Sequence, residues 1–398
     1  MKECTASAPR GAAQDKPPAR TVSLRNRLIA VSCAAVAAAA IFASDRVMRD
    51  AALLGTGMRF PFGGGSLLAG IQGGATVPGG DTTATGKQSF AQTDGQEVTK
   101  GSASAASGNP ADLTATPSDI KVLIEEAKKE YANQKKDGDI SARTYQKSDG
   151  TDVLGNVSVR NTTETRKVNL QKELDTPMKL SIDKSKPAVL IYHTHTTEAF
   201  EILDRGWYAQ GYTSRSEIPG RSIVRVGDAI AAELERAGFQ VIHDKTIYDK
   251  QYGGAYYRSM DTVEKVLKEN PELMVTLDVH RDAIHADGGV HIKPVAAVNG
   301  KKAAQVMIIT GTEEGSITDY PNWAQNLNFA VHLQQQAETD FPGLMRPIFF
   351  CQRVYNMNAT PFSLLLEFGA DANTLEEAVY SGRMIGAALG ELLNQYAQ

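Results

Sequence analysis

The C-terminal half of the chain alternates between two patterns of apolar residues. Short runs of consecutive apolar residues are typical of strands that are buried on both faces. Between these runs, apolar residues recur every three to four positions, which indicates helices that bury one face. The predicted strands are residues 188–192, 240–243, 273–279, 304–309, 348–351 and 363–368, and the predicted helices are residues 223–237, 263–268, 323–337 and 375–396.

This alternation predicts an α/β domain over residues 184–398. Strands that alternate with helices favour a mostly parallel sheet covered by helices on both faces. In such sheets, binding sites form beyond the carboxyl ends of the strands. Chemically active residues are therefore expected at the points where the predicted strands end.

The N-terminal residues have a different composition. Residues 1–27 are polar and contain several Lys and Arg, whereas residues 28–44 form an apolar, alanine-rich run. This arrangement predicts a cytoplasmic tail (1–27), a single transmembrane signal anchor (28–44) and export of the remainder. A cleaved signal peptide is the alternative, although Ile41 and Phe42 interrupt the small residues that cleavage needs. Cys33 lies too early in the run for a lipoprotein.

Two further segments precede the α/β domain. Residues 55–118 are rich in Gly, Ser, Thr and Ala, a composition that buries too little apolar area to fold, so they are predicted to be a flexible low-complexity tether. Residues 119–183 are predicted to be a small accessory region. It contains an amphipathic helix at 119–136 and a strand-like alternation at 152–182 that includes Val157, Val159, Val168 and Leu170.

Charge and cysteine content narrow the possible functions. The formal net charge of −4 and the absence of a basic stripe argue against nucleic acid as a partner. The three cysteines are Cys4, Cys33 and Cys351, so Cys351 is alone beyond the apolar run. A metal site in the C-terminal half would therefore use histidine and carboxylate ligands.

Such residues follow three of the predicted strands. The first strand leads into His193, His195 and Glu198, the second into His280, and the third into Glu367. Because parallel strands of one sheet end at the same edge, these residues are expected to converge although they are far apart in sequence.

The convergent residues suggest a zinc site. A catalytic zinc keeps three protein ligands and one open position. His195, Glu198 and His280 are the predicted ligands, and His193 is an alternative because it lies on the same side of an extended segment as His195. Glu367 is the predicted general base, although it could instead cap the following helix. The other four histidines are expected to be structural or on the surface: His243, His285, His291 and His332.

Several motifs in the chain resemble those of the stage II sporulation protein P family of endospore-forming bacteria. The resemblance extends from about Asn156 to the C-terminus. The motifs are IYHTH at 191–195, IVRVGD at 223–228, LDVHRDA at 277–283, NWAQNL at 322–327, RVYN at 353–356 and LEFG at 366–369.

The resemblance implies a zinc-dependent hydrolase that acts on peptidoglycan at the sporulation septum and engulfing membrane. It also implies a fold related to zinc N-acetylmuramoyl-L-alanine amidases, cleavage of the amide between muramic acid and L-alanine, and reported cleavage of a stem-peptide bond. Stage II sporulation proteins D and M are the partners that it implies. Arg281, Arg353 and Asn356 are the predicted substrate-binding residues.

The sequence departs from typical zinc amidases at one ligand. Those enzymes take a carboxylate from the start of their first long helix, but the helix that begins near Ser222 has no Glu in its first turn. Glu217 is the nearest, and Glu198 is preferred. The order H-x-x-E, then His, then Glu also occurs in zinc carboxypeptidases. A wall carboxypeptidase and a non-catalytic wall-binding septal protein are therefore the alternative functions.

Overall fold

The central element of the structure is an eight-stranded sheet. The chain is known here from a computed structural model that describes residues 113–398, so the predicted tail, the anchor and most of the tether lie outside the described residues. In sheet order the strands are β2 (Asp152–Leu154), β3 (Val157–Asn161), β12 (Ile348–Cys351), β11 (Val306–Gly311), β13 (Phe362–Ala370), β7 (Val275–Asp282), β4 (Pro187–Tyr192) and β6 (Gln240–His243).

The strands of this sheet run in two opposed blocks. Strands β6, β4, β7 and β13 are parallel to one another. Strands β11, β12 and β3 are also mutually parallel, but β11 is antiparallel to β13, and β2 is antiparallel to β3. The sheet is therefore mixed: five of its seven strand pairings are parallel and two are antiparallel, so the prediction of a mostly parallel sheet is confirmed only in part. The apolar runs favour parallel strands that are buried on both faces, but they do not exclude an antiparallel neighbour in a mixed sheet.

A second sheet was not predicted from the sequence. Its strands, in order, are β10 (Lys301–Ala304), β9 (Val290–Val298), β1 (Lys136–Arg143) and β5 (Trp207–Ala209), and β8 (His285–Ala286) pairs with β9. Strand β1 is mostly exposed and contains few apolar residues, so it lacks the pattern that indicates a strand. The predicted accessory region, residues 119–183, contributes β1 to this sheet and β2 and β3 to the large sheet.

Six α-helices accompany the sheets within residues 113–398. They are α1 (Ser118–Glu130), α2 (Leu170–Asp175), α3 (Val224–Arg236), α4 (Ala255–Glu269), α5 (Trp323–Asp340) and α6 (Leu375–Asn394). Helix α1 ends before the predicted residue 136, which belongs to β1, and Leu170 begins a helix rather than extending a strand. Ile120 and Ala127 of α1 join the same hydrophobic core as the large sheet. None of the described helices is both long and apolar enough to cross a membrane.

Helices α3 and α6 approach each other closely along a row of glycines. Gly382, Gly386 and Gly390 are spaced four residues apart on α6, which places them on one helix face. A Cβ atom built on Gly386 would lie 2.8 Å from the carbonyl oxygen of Ile230, and one on Gly390 would lie 2.9 Å from the Cβ of Ala237. The contact between the two helices therefore depends on the absence of side chains at these positions.

Gly386→Ala is expected to lower the free energy of unfolding. The added methyl group overpacks the contact with α3, which typically costs about 1–3 kcal/mol, against a gain in helix propensity of at most ~1 kcal/mol. Chemical denaturation followed by circular dichroism would measure the change. Gly220→Ala is the matched control, because a Cβ there meets no atom within 4 Å. Equal stability of the two variants would contradict the close packing of α3 on α6.

Strands β4, β7 and β13 bring the candidate site residues to one edge of the large sheet. They are adjacent and parallel, with Tyr192 opposite Asp278 and His280 opposite Glu367. The residues that follow Tyr192 therefore leave the sheet beside His280. The convergence predicted from the sequence is observed, because it depends only on these three strands and not on the direction of β11, β12 and β3.

Candidate functional site

The predicted site residues meet beyond the end of β4 and beside β7 and β13. His280 Nδ1 lies 3.3 Å from Glu198 Oε2. The rings of His195 and His280 meet edge to face, with their centroids 5.2 Å apart. Glu367 is the neighbour of His280 on the adjacent strand. The fold thus gathers four residues from three separate parts of the sequence.

Hydrogen bonds from threonines hold the segment that carries His195 and Glu198. The backbone N–H and the hydroxyl of Thr194 donate to the two carboxylate oxygens of Asp278, at 2.8 and 2.7 Å. The backbone N–H and the hydroxyl of Thr197 donate to Asp249, at 3.1 and 2.7 Å. These bonds fix a compact turn directly after β4, which places Glu198 beside β7.

Three polar atoms of the cluster are buried and have no hydrogen-bond partner among the described residues. They are His195 Nδ1, His280 Nε2 and Glu367 Oε2. His280 Nε2 lies 2.7 Å from Asp278 Oδ1, but the geometry does not make a hydrogen bond. Leaving a buried donor or acceptor unsatisfied costs roughly 1–3 kcal/mol, so three such atoms in one place indicate a ligand-binding site.

The donor atoms of the cluster fit a zinc ion. Imidazole nitrogens and a carboxylate oxygen are common zinc ligands, and His195, Glu198 and His280 supply them from buried positions. Another group in the described part of the chain is more compact. The donor atoms of His285, His291 and Asp371 all lie within 4.8 Å of one another.

The members of the cluster differ in their affinity for protons. Desolvation raises the pKa of Glu367 to about 8, and the nearby Asp282 carboxylate adds to the rise. Desolvation also acts to raise the pKa of Glu198, but the hydrogen bond and charge of His280 outweigh it and lower this pKa to about 2. Burial lowers the pKa of His195 to about 4. His195 is therefore neutral at pH 7, as a metal ligand must be.

His193 is held by the protein at both ring nitrogens. Its Nδ1 lies 2.8 Å from the carbonyl oxygen of Val279, and its Nε2 lies 2.9 Å from Nε2 of His243. His243 in turn contacts Asp228 through Nδ1, at 3.1 Å. Both nitrogens of His193 thus have partners, whereas His195 has a nitrogen without one. This geometry favours His195 over His193 as a ligand.

The alternative carboxylate, Glu217, lies in a different environment. It is exposed and forms an ion pair with Lys250 at 3.4 Å. Glu198 is buried, contacts His280, and accepts a hydrogen bond from the backbone N–H of Arg281 at 3.0 Å. Of the two carboxylates, Glu198 is the one that the fold places beside the histidines.

The three residues predicted to bind substrate have different environments. Arg281 is buried and donates to the carbonyl oxygens of Ala199 and Ser214, at 3.1 and 2.9 Å, so it braces the turn that carries Glu198. Asn356 donates to the carbonyl oxygen of Tyr256 at 3.0 Å. Arg353 is half-buried in the same loop as Asn356. Their role in substrate binding stays a prediction.

Sequence reasoning missed the aromatic residues around the cluster. Tyr252 stacks on the ring of His195, with centroids 4.6 Å apart, and it is 64% exposed. Tyr256 meets the same ring edge to face at 5.5 Å and also stacks on Tyr355 at 5.3 Å. Neither Tyr252 nor Tyr256 belongs to a recognised motif, so only the packing of the start of α4 against the turn after β4 identifies them.

The fold and the cluster together narrow the class of protein. A mixed α/β domain that gathers two histidines and two carboxylates at the edge of its parallel strands has a set of side chains suited to hydrolysis. The model of the family "Stage II sporulation protein P" matches residues 95–390. The chain therefore belongs to the stage II sporulation protein P family, which confirms the resemblance found in the sequence.

One curated relative is stage II sporulation protein P of Bacillus subtilis (strain 168). It is 30% identical to this chain over 226 residues, which cover 54% of this chain and 52% of the relative. The match thus spans about half the length of that protein.

Solved structures with partial similarity are N-acetylmuramoyl-L-alanine amidases. Ami1 from Mycobacterium smegmatis has 11% identity and a TM-score of 0.34, over 54% of this chain and 100% of that one. The CwlD amidase from Clostridioides difficile, solved with the GerS lipoprotein, has 11% identity and a TM-score of 0.34, over 52% of this chain and 99% of that one.

Proposed function

We propose that this chain is a zinc-dependent peptidoglycan hydrolase that acts during sporulation. The observation that carries the proposal is the group of three unsatisfied buried atoms on His195, His280 and Glu367. Membership of the stage II sporulation protein P family supports the substrate and the cellular process. In this proposal His195, Glu198 and His280 hold the metal.

Each residue of the cluster has a defined part in the proposed reaction. The zinc ion, when bound, would polarise the scissile carbonyl and increase the acidity of water. Glu367 accepts a proton from the attacking water and returns it to the leaving amine. Its raised pKa makes it a stronger base than an ordinary carboxylate, whereas Glu198, with its low pKa, stays ionised and suits the role of a ligand. Asp278 orients the segment that carries His195 through Thr194.

The bond that we propose is cleaved is the amide between N-acetylmuramic acid and L-alanine, with a stem-peptide bond as a second substrate. A carboxypeptidase would need a free Arg to bind the terminal carboxylate of its substrate. The guanidinium of Arg281 instead binds backbone carbonyl oxygens, so the geometry gives this alternative no support from that residue.

Product analysis tests the proposed bond. Purified peptidoglycan would be digested with the zinc-loaded protein, and the released peptides would be labelled at their new amino termini and analysed by mass spectrometry. New L-alanine termini are expected from amidase activity. Release of single C-terminal amino acids would indicate a carboxypeptidase, and binding without any release would indicate a non-catalytic wall-binding protein.

The same proposal places the catalytic domain outside the cytoplasmic membrane. The basic residues before the apolar run at 28–44 would keep the N-terminus inside and a single-pass anchor in the membrane. Added protease is expected to digest the C-terminal domain in protoplasts with an intact membrane. Digestion only after lysis would contradict this topology.

Stage II sporulation proteins D and M are the expected partners at the septum, and pull-down of the full chain from sporulating cells would test them.

A further inference from the structure

A second group of potential metal ligands lies on the β8–β9 hairpin and after β13. His285 and His291 face each other across the hairpin, and Asp371 is the first residue after β13. His285 Nε2 lies 2.9 Å from Asp371 Oδ2, and His291 Nδ1 lies 3.8 Å from the same oxygen. The donor atoms of all three residues lie within 4.8 Å of one another.

The hydrogen bond between His285 and Asp371 leaves other polar atoms of this group without a hydrogen-bond partner. Asp371 is only 2% exposed, and both its Oδ1 and the Nδ1 of His291 are buried without a hydrogen-bond partner in residues 113–398. A buried polar atom without a partner is costly, and a buried carboxylate needs more than one favourable contact. A cation bound between the three side chains would satisfy the histidine nitrogen and the carboxylate together.

The surrounding residues hold the three side chains in place. The ring of His291 is stacked between Tyr208 and His285, with centroid distances of 4.0 and 3.9 Å. The backbone N–H of Asp371 donates to the carbonyl oxygen of Asp282 on β7, at 3.0 Å. The rings and the carboxylate are therefore positioned before any ligand binds, as in well-formed metal sites.

We propose that His285, His291 and Asp371 form a second divalent-cation site, distinct from the cluster of His195, Glu198 and His280. Two imidazoles and a carboxylate favour zinc, cobalt or nickel over calcium and magnesium, which prefer oxygen ligands. The bound cation clamps the β8–β9 hairpin to the segment that follows β13. Because the side chain of His285 is 50% exposed, the site keeps positions open to solvent, and its ion exchanges more readily than the ion of the buried cluster.

Metal titration in a His280→Ala background separates the two sites. The full chain would be stripped with a chelator and titrated with zinc by calorimetry and with cobalt(II) by visible absorption. We expect His280→Ala to bind one equivalent of either metal. Adding His285→Ala or Asp371→Asn should weaken the affinity for that one metal ion at least tenfold. Adding His332→Ala should not, because His332 lies on α5 outside both groups.

Two results would overturn the second site. The first is that the His280→Ala chain still binds its one metal ion with undiminished affinity after both His285→Ala and Asp371→Asn have been added. The second is that a folded His280→Ala chain binds no metal at all. Circular dichroism and thermal unfolding would establish folding, and the half-exposed position of His285 makes its replacement the safer of the two. The zinc hydrolase proposal has a different failing result. It would fail if the chain with only His280→Ala contained as much zinc as the wild-type chain.

Discussion

Glu367→Gln is expected to remove most peptidoglycan cleavage while leaving the zinc content of the protein unchanged. Glutamine keeps the size of the side chain but cannot accept a proton from water. Loss of a general base typically lowers the rate by ~10²–10⁴-fold. The rate would be measured as release of stem peptides from purified peptidoglycan, and zinc per chain would be measured by elemental analysis. Glu235→Gln is the matched control, because Glu235 is exposed on α3.

The pH dependence of this variant gives an independent test. Desolvation raises the pKa of Glu367 above its ordinary value, and a bound cation would lower it again. Only the ionised form can act as a base, so the rate of the wild-type protein should rise with pH as this group ionises. The rising limb should be absent in Glu367→Gln. Loss of zinc from the variant would make Glu367 a ligand, and a near-normal rate would exclude it as the base.

His195→Ala and His280→Ala are both expected to lose the zinc ion of the buried cluster and, with it, the activity. Replacing residues that merely orient metal ligands lowers the affinity for the metal ~10–100-fold. Removing one of the three ligands should therefore lower the affinity for zinc by more than this. Zinc affinity would be measured by competition with a chromogenic chelator. His332→Ala is the control for a histidine outside the cluster.

The two variants should differ in stability. His280 lies beside the buried Glu198, and leaving a buried polar group without its partner typically costs about 1–3 kcal/mol. His195 has no ion pair with Glu198, so His195→Ala should fold with less loss of stability and separates metal binding from folding. Full zinc affinity in a folded His195→Ala protein would reject His195 as a ligand and make His193 the candidate ligand instead.

The sequence contained enough information to locate the cluster. Strands β6 and β12 have the bounds that the apolar runs predicted, and β4 ends directly before His193. Strands β7 and β13 contain His280 and Glu367 near their carboxyl ends and continue a few residues beyond them. A buried strand is a local pattern, and a polar residue at its end is conspicuous because burying it is costly. Three of the six family motifs, at 191–195, 277–283 and 366–369, lie on these same segments, so the resemblance and the reasoning from residues point to the same part of the fold.

Other features depended on contacts that no local pattern encodes. The direction of β11, β12 and β3 and the existence of the second sheet follow from which strands pair, and strand pairing is decided by residues far apart in the chain. The same is true of Tyr252 against His195 and of Asp371 against His285. His285 and His291 were expected to be structural or on the surface, and only the hairpin and the end of β13 together place them around one carboxylate.

The division has a simple physical basis. Periodicity and burial are properties of a segment, so the sequence by itself determined which strands are buried and which residues of zinc-binding type lie at or near their carboxyl ends. The identity of the partner across a sheet, the orientation of a ring and the satisfaction of a buried atom are properties of pairs of segments. Only the tertiary structure decided that His195, rather than His193, has a nitrogen without a partner.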